Sequence, residues 1–120
     1  MNGDDYNFRS VQELLAAFYG AAFITQPIES DYTVGASALA IGSAPGGVRV
    51  GLLLSNTGST NIAVAFNAGL TIATGVLLLP GGTYTSDWYY DGDLVSRQLY
   101  AISSGAGGTL HALERFLTGA

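Results

Sequence analysis

The chain has 120 residues, the length of one domain around one hydrophobic core. Hydrophobic residues make up 48% of it and charged residues only 11%, less than half of the roughly 25% usual in soluble domains. The net charge is −5 and the four basic side chains are all arginine, so the basic stripe that nucleic-acid binding requires is missing.

Cysteine is absent from the sequence, which excludes disulfides, thiolate metal sites and cysteine nucleophiles. No apolar run reaches the roughly 18 residues of a membrane span, and the acidic N-terminus lacks a signal peptide's basic region. We therefore expect a protein made in the cytoplasm, with neither nucleic acid nor a membrane as partner. Because charge is so sparse, we also expect a partner, or copies of the chain itself, to cover part of its surface.

A helix of about ten to fourteen residues is predicted near the N-terminus. Ser10 and Glu13 match a capping box, in which each side chain satisfies a backbone N–H at the helix start. The apolar residues that follow at helical spacing are Val11, Leu14, Leu15 and Phe18. A helix this short is marginal in water unless its apolar face docks. Two docking sites are open: the β-domain of its own chain, and a neighbouring subunit.

The chain divides into two predicted regions. Residues 1–31 form an acidic arm, the helix and a linker, because Pro27 disfavours helix in the residue before it. Residues 32–120 form a β-domain. Its clearest segment runs from Val48 to Phe66, where apolar residues alternate on both sides of a polar Asn- and Gly-containing turn. This pattern predicts an antiparallel hairpin, with Arg49 pointing outward.

Five further strands complete the predicted β-domain, separated by Gly- and Pro-rich turns. They are residues 32–43, 75–79, 83–90, 99–103 and 109–116. In the last strand, alternation places Leu110, Ala112 and Glu114 on one face and His111, Leu113 and Arg115 on the other. About seven strands at this spacing predict an antiparallel β-sandwich or a jelly-roll-like small barrel, mainly β, with one N-terminal α-helix.

Candidate catalytic and metal-binding residues are few. His111 is the single histidine and no G-x-S-x-G motif accompanies it, so a structural or interface role is favoured over catalysis. Asp87, Asp91 and Asp93 lie on and beside one turn and could hold a hard cation such as calcium. Their spacing does not match a calcium-binding loop, and an ordinary Asp-Gly turn is favoured. No cofactor is expected.

The densest aromatic group is Trp88-Tyr89-Tyr90, at the end of a predicted strand. On alternating faces of a strand, part of this group packs in the core and part faces outward, where a tyrosine contacts a partner or stacks on a sugar. The predicted partner interface therefore combines two sets. They are the helix residues Val11, Leu14, Leu15 and Phe18, and the aromatic residues Trp88, Tyr89 and Tyr90.

Three segments, read together, carry a resemblance to a known module. They are R-V-G-L-L-L-S-N-T-G-S-T-N-I-A-V-A-F, G-V-L-L-L-P-G-G-T-Y and L-Y-A-I-S-S-G-A-G-G-T-L-H-A-L-E, within residues 48–114. The features that matter are Asn56 and Asn61, Pro80-Gly81-Gly82 before an aromatic residue, and Leu99 to Ile102 followed by a glycine turn and Glu114. In these features the chain resembles a small β-sandwich module of tailed-bacteriophage structural proteins, which include capsid decoration and fibre-type proteins.

The resemblance implies a non-enzymatic virion component present in many copies. It would be a capsid decoration (cement) protein that binds and stabilises the phage head shell, with the major capsid protein or another virion protein as partner. It would form a homo-oligomer, with a trimer favoured. Three other functions remain open: a tail, neck or fibre-base adaptor of the virion, a carbohydrate-binding module, and a small hydrolase using Asp87, Asp91, Asp93 or His111.

Overall fold

The computed structural model describes residues 23–24, 27–42 and 48–118. These residues form nine strands, one short α-helix and a 3₁₀ helix. The strands are β1 (Phe23–Ile24), β2 (Ile28–Val34), β3 (Leu39–Ile41), β4 (Val48–Asn56), β5 (Ile62–Ala65), β6 (Val76–Leu78), β7 (Thr83–Asp87), β8 (Leu99–Ser103) and β9 (Gly108–Thr118). The helices are α1 (Trp88–Asp91) and the 3₁₀ helix Gly92–Ser96. The predicted N-terminal helix, with Val11, Leu14, Leu15 and Phe18, lies outside the described residues.

The strands form two antiparallel sheets, which confirms the predicted sandwich. Sheet A has the order β2-β9-β4-β7, with β1 pairing the far end of β9, and sheet B has the order β3-β8-β5-β6. Consecutive strands mostly alternate between the sheets, so β9 pairs with β4 and β8 with β5. This four-plus-four order is that of a jelly roll.

The predicted strand over residues 32–43 is two strands in different sheets. β2 belongs to sheet A and begins at Ile28, inside the predicted linker, where it pairs with Glu114 of β9. The chain leaves sheet A after Val34, and the backbone carbonyl of Gly35 accepts a hydrogen bond from the Ser103 N–H at 2.8 Å. β3 then joins sheet B. A bend at Ala36 and Ser37 therefore carries the chain from one layer to the other.

The predicted hairpin is also wrong, although both of its strands exist. β4 lies in sheet A and β5 in sheet B, so the loop between them joins the layers instead of pairing neighbours. Asn56, which is only 1% exposed, holds this loop. Its side-chain Nδ2 donates to the carbonyls of Thr60 at 2.7 Å and Leu78 at 2.9 Å, and its Oδ1 accepts from the Gly58 N–H at 3.1 Å.

The core lies between the sheets and is almost wholly aliphatic. Its largest fully buried apolar side chains are Val34, Ile41, Leu54, Ile62, Val64, Val95, Leu99 and Leu110. Alternation along β9 is as predicted, because Leu110, Ala112 and Glu114 are buried while His111 and Leu113 are half-buried and Arg115 is exposed. Glu114 is thus a carboxylate inside an apolar sandwich, a placement that requires a partner.

Arg49 is a partner of Glu114, and it points inward, contrary to the prediction. The β4–β9 register shifts between Arg49 and Gly51, so that Arg49 lies opposite Phe116 and Gly51 opposite Arg115. This β-bulge adds a residue at Val50 and turns Arg49 to the core face. Only 7% of Arg49 is exposed, and its Nη1 donates to Glu114 Oε2 at 3.0 Å.

The same guanidinium holds the 3₁₀ helix against sheet A. Arg49 Nε donates to the carbonyl of Val95 at 2.8 Å, and Arg49 Nη2 donates to the carbonyl of Arg97 at 2.7 Å. In the described part of the chain, no buried side-chain polar atom lacks a hydrogen-bond partner. The buried charge is therefore compensated by an opposite charge and by two backbone carbonyls.

Replacing Arg49 by alanine should lower the free energy of unfolding by about 3–5 kcal/mol, because Glu114 loses its buried cation. Chemical denaturation measures the change. Arg97→Ala is the matched control, because the exposed Arg97 side chain pairs with Asp93 at 3.6 Å, and such a surface pair contributes about 0–1 kcal/mol. Equal losses for the two variants would contradict this assignment.

Asn56→Asp should destabilise the fold by at least about 2 kcal/mol, because a carboxylate cannot donate to Thr60 and Leu78 and its charge would be buried. Asn67→Asp is the control, since exposed Asn67 uses its Oδ1 only to accept from the Gly69 N–H. Thermal unfolding of both variants checks this. A melting temperature for Asn56→Asp close to that of Asn67→Asp would show that the Asn56 donors are dispensable.

Candidate interaction surface

The predicted aromatic group does not continue a strand. β7 ends at Asp87, whose Oδ1 accepts a hydrogen bond from the Tyr90 N–H at 2.9 Å and so caps the short helix α1. Trp88 is half-buried and packs against the core, whereas Tyr89 is 47% and Tyr90 82% exposed. The two tyrosine rings lie 5.0 Å apart at 81°. They therefore form an edge-on pair and not one flat stacking platform.

The three carboxylates near this turn are engaged in local structure. Asp91 Oδ2 accepts from Ser86 Oγ at 2.9 Å and from the Asp87 N–H at 3.0 Å. Asp93 faces Arg97 at 3.6 Å. Among the described residues, no group of three or more His, Asp or Glu side chains is arranged to hold a metal ion. These contacts assign capping and turn-forming roles to the carboxylates.

His111 lies on the outer face of sheet A, between two carboxylates of β2. Its Nδ1 is 2.6 Å from Asp31 Oδ1 and its Nε2 is 3.1 Å from Glu29 Oε1. The β2–β9 register explains this, because Asp31 lies directly opposite His111. The hydrogen bond to Asp31, and after it the bond to Glu29, raise the pKa of His111 above its ordinary value of 6.5. The histidine thus links two strands.

Charge is confined to one side of the sandwich. In the part of the chain that the structure describes, every Asp, Glu, Arg and His side chain lies on sheet A or in the connection from β7 to β8. These are Glu29 and Asp31 on β2, Arg49 on β4, Asp87 on β7, Asp91, Asp93 and Arg97 in the connection, and His111, Glu114 and Arg115 on β9. The four strands of sheet B carry none.

The outer face of sheet B is apolar. Its inner face contributes residues such as Ile62, Leu99 and Ala101 to the core, so the alternate residues point away from it. We call these alternate residues the sheet B face: Ala40, Ala63, Ala65, Leu77, Tyr100 and Ile102. The strand register arranges them in two rows, Ala40–Tyr100–Ala65 and Ile102–Ala63–Leu77. The Tyr100 hydroxyl is the single polar side-chain group among them.

The sheet B face is unevenly exposed. Ala63 at its centre is fully buried, and a Cβ placed on Gly75 would lie only 3.1 Å from the Ala63 Cβ, so the backbone before β6 lies against it. Leu77 is 49% exposed, whereas Ala65, Tyr100 and Ile102 are half-buried. Large apolar side chains continue around the β6 edge, where Val76 and Leu79 are also exposed.

The outer face of sheet A shows the usual pattern of a solvated sheet. Polar side chains such as Glu29, Asp31, Thr85 and Arg115 alternate there with buried ones, as is common for antiparallel sheets with one face in water. Sheet B has no such polar outer side. Because contiguous exposed apolar patches mark interaction sites, the sheet B face is the candidate interaction surface.

Sequence reasoning did not identify this surface. A signal was present, because no charged residue occurs between Arg49 and Asp87, a stretch that includes β5 and β6. The predicted interface residues are distributed differently: Trp88 packs on the core, Tyr89 and Tyr90 lie at the charged β7–β8 connection, and the four helix residues lie outside the described ranges.

Comparisons with known proteins leave the family open. The sequence matches no family model and no curated protein. Among solved structures, the chain is similar to one described by the words "Bacillus endospore appendages form a novel family of disulfide-linked pili", with 16% identity and a TM-score of 0.47. The match covers 80% of this chain and 89% of that chain. A likeness at this level supports no conclusion about function. Within the described residues, no helix has the length and hydropathy to cross a membrane.

The pKa of His111 should lie above 6.5 and should fall most in Asp31→Asn, because the Asp31 bond is the main cause of the shift. The stability that protonated His111 gives the folded state is then fully present below the pKa of the histidine in the unfolded chain. It is lost as the pH rises through the pKa of His111 in the folded protein. An NMR titration follows the imidazole without assignment, since the chain has one histidine. Glu29→Gln is the matched control, and it should lower the pKa of His111 by less than Asp31→Asn does. Titration of the unmodified protein at or below 6.5 would contradict the contacts.

Proposed function

We propose that this chain is a non-enzymatic structural subunit of a tailed-bacteriophage particle, and specifically a capsid decoration protein that binds and stabilises the head shell. The observation that carries the proposal is the sheet B face, an uncharged apolar surface on a small sandwich. Exposing such a face to water is unfavourable, and burying it in an assembly removes that cost. The protein acts by being buried between neighbours.

The polar side chains of the described residues support an architectural role. Arg49 and Glu114 hold the 3₁₀ helix on sheet A, His111 links β2 to β9, and Asp87 and Asp91 shape the β7–α1 junction. Each of these side chains is engaged in a contact that maintains the fold. A subunit that works by shape requires such contacts and no reactive centre.

The phage assignment rests on the resemblance over residues 48–114. Two of its separate pieces meet in space: the Asn56 N–H donates to the Gly82 carbonyl at 2.9 Å, and the Gly81 N–H donates to the Asn56 carbonyl at 2.8 Å. The pieces therefore belong to one structural unit at the end of β4. Jelly rolls occur in viral capsid proteins and also in lectins, so the fold alone does not select the function.

Quantitative mass spectrometry of purified virions, from the phage that encodes this chain, tests the proposal. We expect a copy number comparable to that of the major capsid protein, and shells lacking the chain should open at a lower temperature. A few copies per particle, confined to isolated tails, would overturn the decoration role in favour of an adaptor. Absence from the particle would overturn the virion assignment altogether.

A further inference from the structure

We propose that two copies of this chain pair through the edge strand β7. The two β7 strands run antiparallel about a twofold axis at Tyr84, so that the two sheets A join into one continuous sheet. This contact is separate from the sheet B face. It goes beyond the proposed function and does not depend on it, because the edge belongs to the chain inside or outside a virion.

The direction of the backbone hydrogen bonds along β7 is defined at both of its ends. In the part of the chain that the structure describes, β7 pairs with β4 alone. Just before the strand, the Gly82 carbonyl accepts a hydrogen bond from the Asn56 N–H of β4 at 2.9 Å. At the last residue of the strand, the Asp87 N–H donates to Asp91 Oδ2 at 3.0 Å. Gly82 thus points its carbonyl toward β4, and Asp87 points its N–H away from β4.

Two threonines of β7 therefore carry outward-facing backbone groups. In an antiparallel ladder, successive residues point their N–H and C=O groups alternately toward the partner strand and away from it. Tyr84 and Ser86 follow Gly82 in steps of two, so their groups point toward β4. Thr83 and Thr85 have the opposite direction, and their N–H and C=O groups face the open edge. The side chains of both threonines are also exposed.

β7 lacks the features that protect the other edge strands from strand addition. Very short strands and charged side chains are two common protections. β1, β3 and β6 have only two or three residues each, and β2 carries Glu29 and Asp31. β7 has five residues, and those from Thr83 to Ser86 are uncharged and include no proline. Among the described edge strands, β7 is thus the one open to a further strand.

The open part of β7 is complementary to itself in one register. With Tyr84 on the twofold axis, Thr83 of each copy lies opposite Thr85 of the other, and each such pair exchanges two hydrogen bonds. The outward backbone groups of both threonines are then all paired. Sliding one strand by two residues would bring a threonine opposite Gly81 or Asp87, whose N–H groups are already bonded within their own chain.

The sandwich is open beside this edge. Val76 of β6 pairs with the buried Val64 and so faces the core, yet 52% of it is exposed. Phe66, two residues beyond Val64, is 39% exposed. Together with Tyr84 of β7, these residues line a cavity of about 320 Å³ between the two sheets. A strand added to β7 places the side chain opposite Tyr84 on the core side of sheet A, so the Tyr84 ring of the second copy lies over this cavity.

Charge favours this arrangement over other pairings between copies. Two copies with a net charge of −5 repel each other. The carboxylates Asp87, Asp91 and Asp93 lie at and beyond one end of β7. The antiparallel twofold pair holds the two Asp87 residues about 20 Å apart, beyond the screening length of about 8 Å at physiological salt. Pairing β7 with β2 of the second copy would instead place Glu29 and Asp31 on the neighbouring strand.

The open part of β7 is short, so the contact belongs with the weak and transient interfaces. Cross-strand threonine pairs and the tyrosine pair at the axis stabilise it, and covering the apolar cavity adds to this. We expect copies that are monomeric in dilute solution to pair as their concentration rises, as it does where copies are held side by side in an assembly. The twofold pair is a separate contact from the trimer that the resemblance implies.

Disulfide trapping of the full chain tests both the contact and its register. The chain has no cysteine, so Thr83→Cys and Thr85→Cys each introduce one exposed thiol. In the proposed register these two variants face each other with Cα atoms about 5.5 Å apart, within the range of a disulfide. Two copies of one variant place theirs about 8 Å apart, outside that range. The mixed dimer should therefore form at least about tenfold faster than either dimer of one variant.

Thr33→Cys is the matched control, because Thr33 is also exposed, on β2 at the other edge of sheet A. Mixed with Thr85→Cys, it should give only slow background dimer. A mixture of Thr83→Cys and Thr85→Cys that forms dimer no faster than this control would overturn the inference. Faster dimer formation within either single variant would overturn it too, because the copies would then meet in another register.

Hydrogen exchange of the unmodified chain is a second measurement that needs no substitution. The Thr83 and Thr85 amides should exchange fast in dilute solution and severalfold more slowly as the concentration rises toward the solubility limit. The Tyr84 and Ser86 amides, which point toward β4, are the internal control and should be slow throughout. Slow exchange of the threonine amides in dilute solution would show that a segment of the same chain covers the edge. Fast exchange at every concentration would leave the edge to a different partner, and either result would overturn the inference.

The twofold pair and the decoration role fail separately. A chain that pairs through β7 but is absent from virions would overturn the decoration role alone. A chain that is abundant in virions, and whose Thr83 and Thr85 amides never gain protection with concentration, would overturn the twofold pair alone.

Discussion

The buried ion pair between Arg49 and Glu114 is the contact on which the two-layer arrangement depends. It lies inside an apolar sandwich and joins β4 to β9, and through the Val95 and Arg97 carbonyls it also holds the connection between the sheets. The backbone that follows β3 also packs closely against this ion pair. Gly42 adopts a φ of +127°, and a Cβ there would lie 2.8 Å from Arg49 Nη1. A buried pair of this kind adds little net stability and greatly penalises any arrangement that separates its members.

This internal charge is part of a wider asymmetry. Sheet A combines the buried pair with an outer face of carboxylates, threonines and the His111 contacts, whereas sheet B carries no charged side chain. The polar side-chain groups of its strands are the Tyr100 hydroxyl on the outer side and the buried Ser103 hydroxyl on the inner side. An antiparallel sheet that is apolar on both sides is expected where both sides are covered. The core covers one side of sheet B, and the proposed assembly covers the other. The low charge content of the chain thus reflects a sandwich in which sheet A carries the charged side chains and sheet B carries none.

Alternation predicted which residues of a strand share a face, and for β9 it placed Leu110 and Glu114 correctly. It could not predict which sheet a strand joins, because a buried face looks the same in either layer. The hairpin from Val48 to Phe66 was wrong for this reason. Arg49 was misplaced because a β-bulge reverses the alternation. Gly51, an isolated glycine inside the strand, is a local signal of this bulge that the alternation argument did not use. The sheet B face was missed because β5 and β6 are apolar on both sides, and period-2 patterns need a polar side to reveal orientation.

The central claim is that the sheet B face is buried against a neighbouring subunit in the assembled particle. Cryo-electron microscopy of that particle, at a resolution that shows side chains, tests it most directly. The account predicts that Leu77 and Ile102 lie against a neighbouring subunit, while His111 and its carboxylates face solvent or a polar neighbour. A map in which the sheet B face is open to solvent would contradict it.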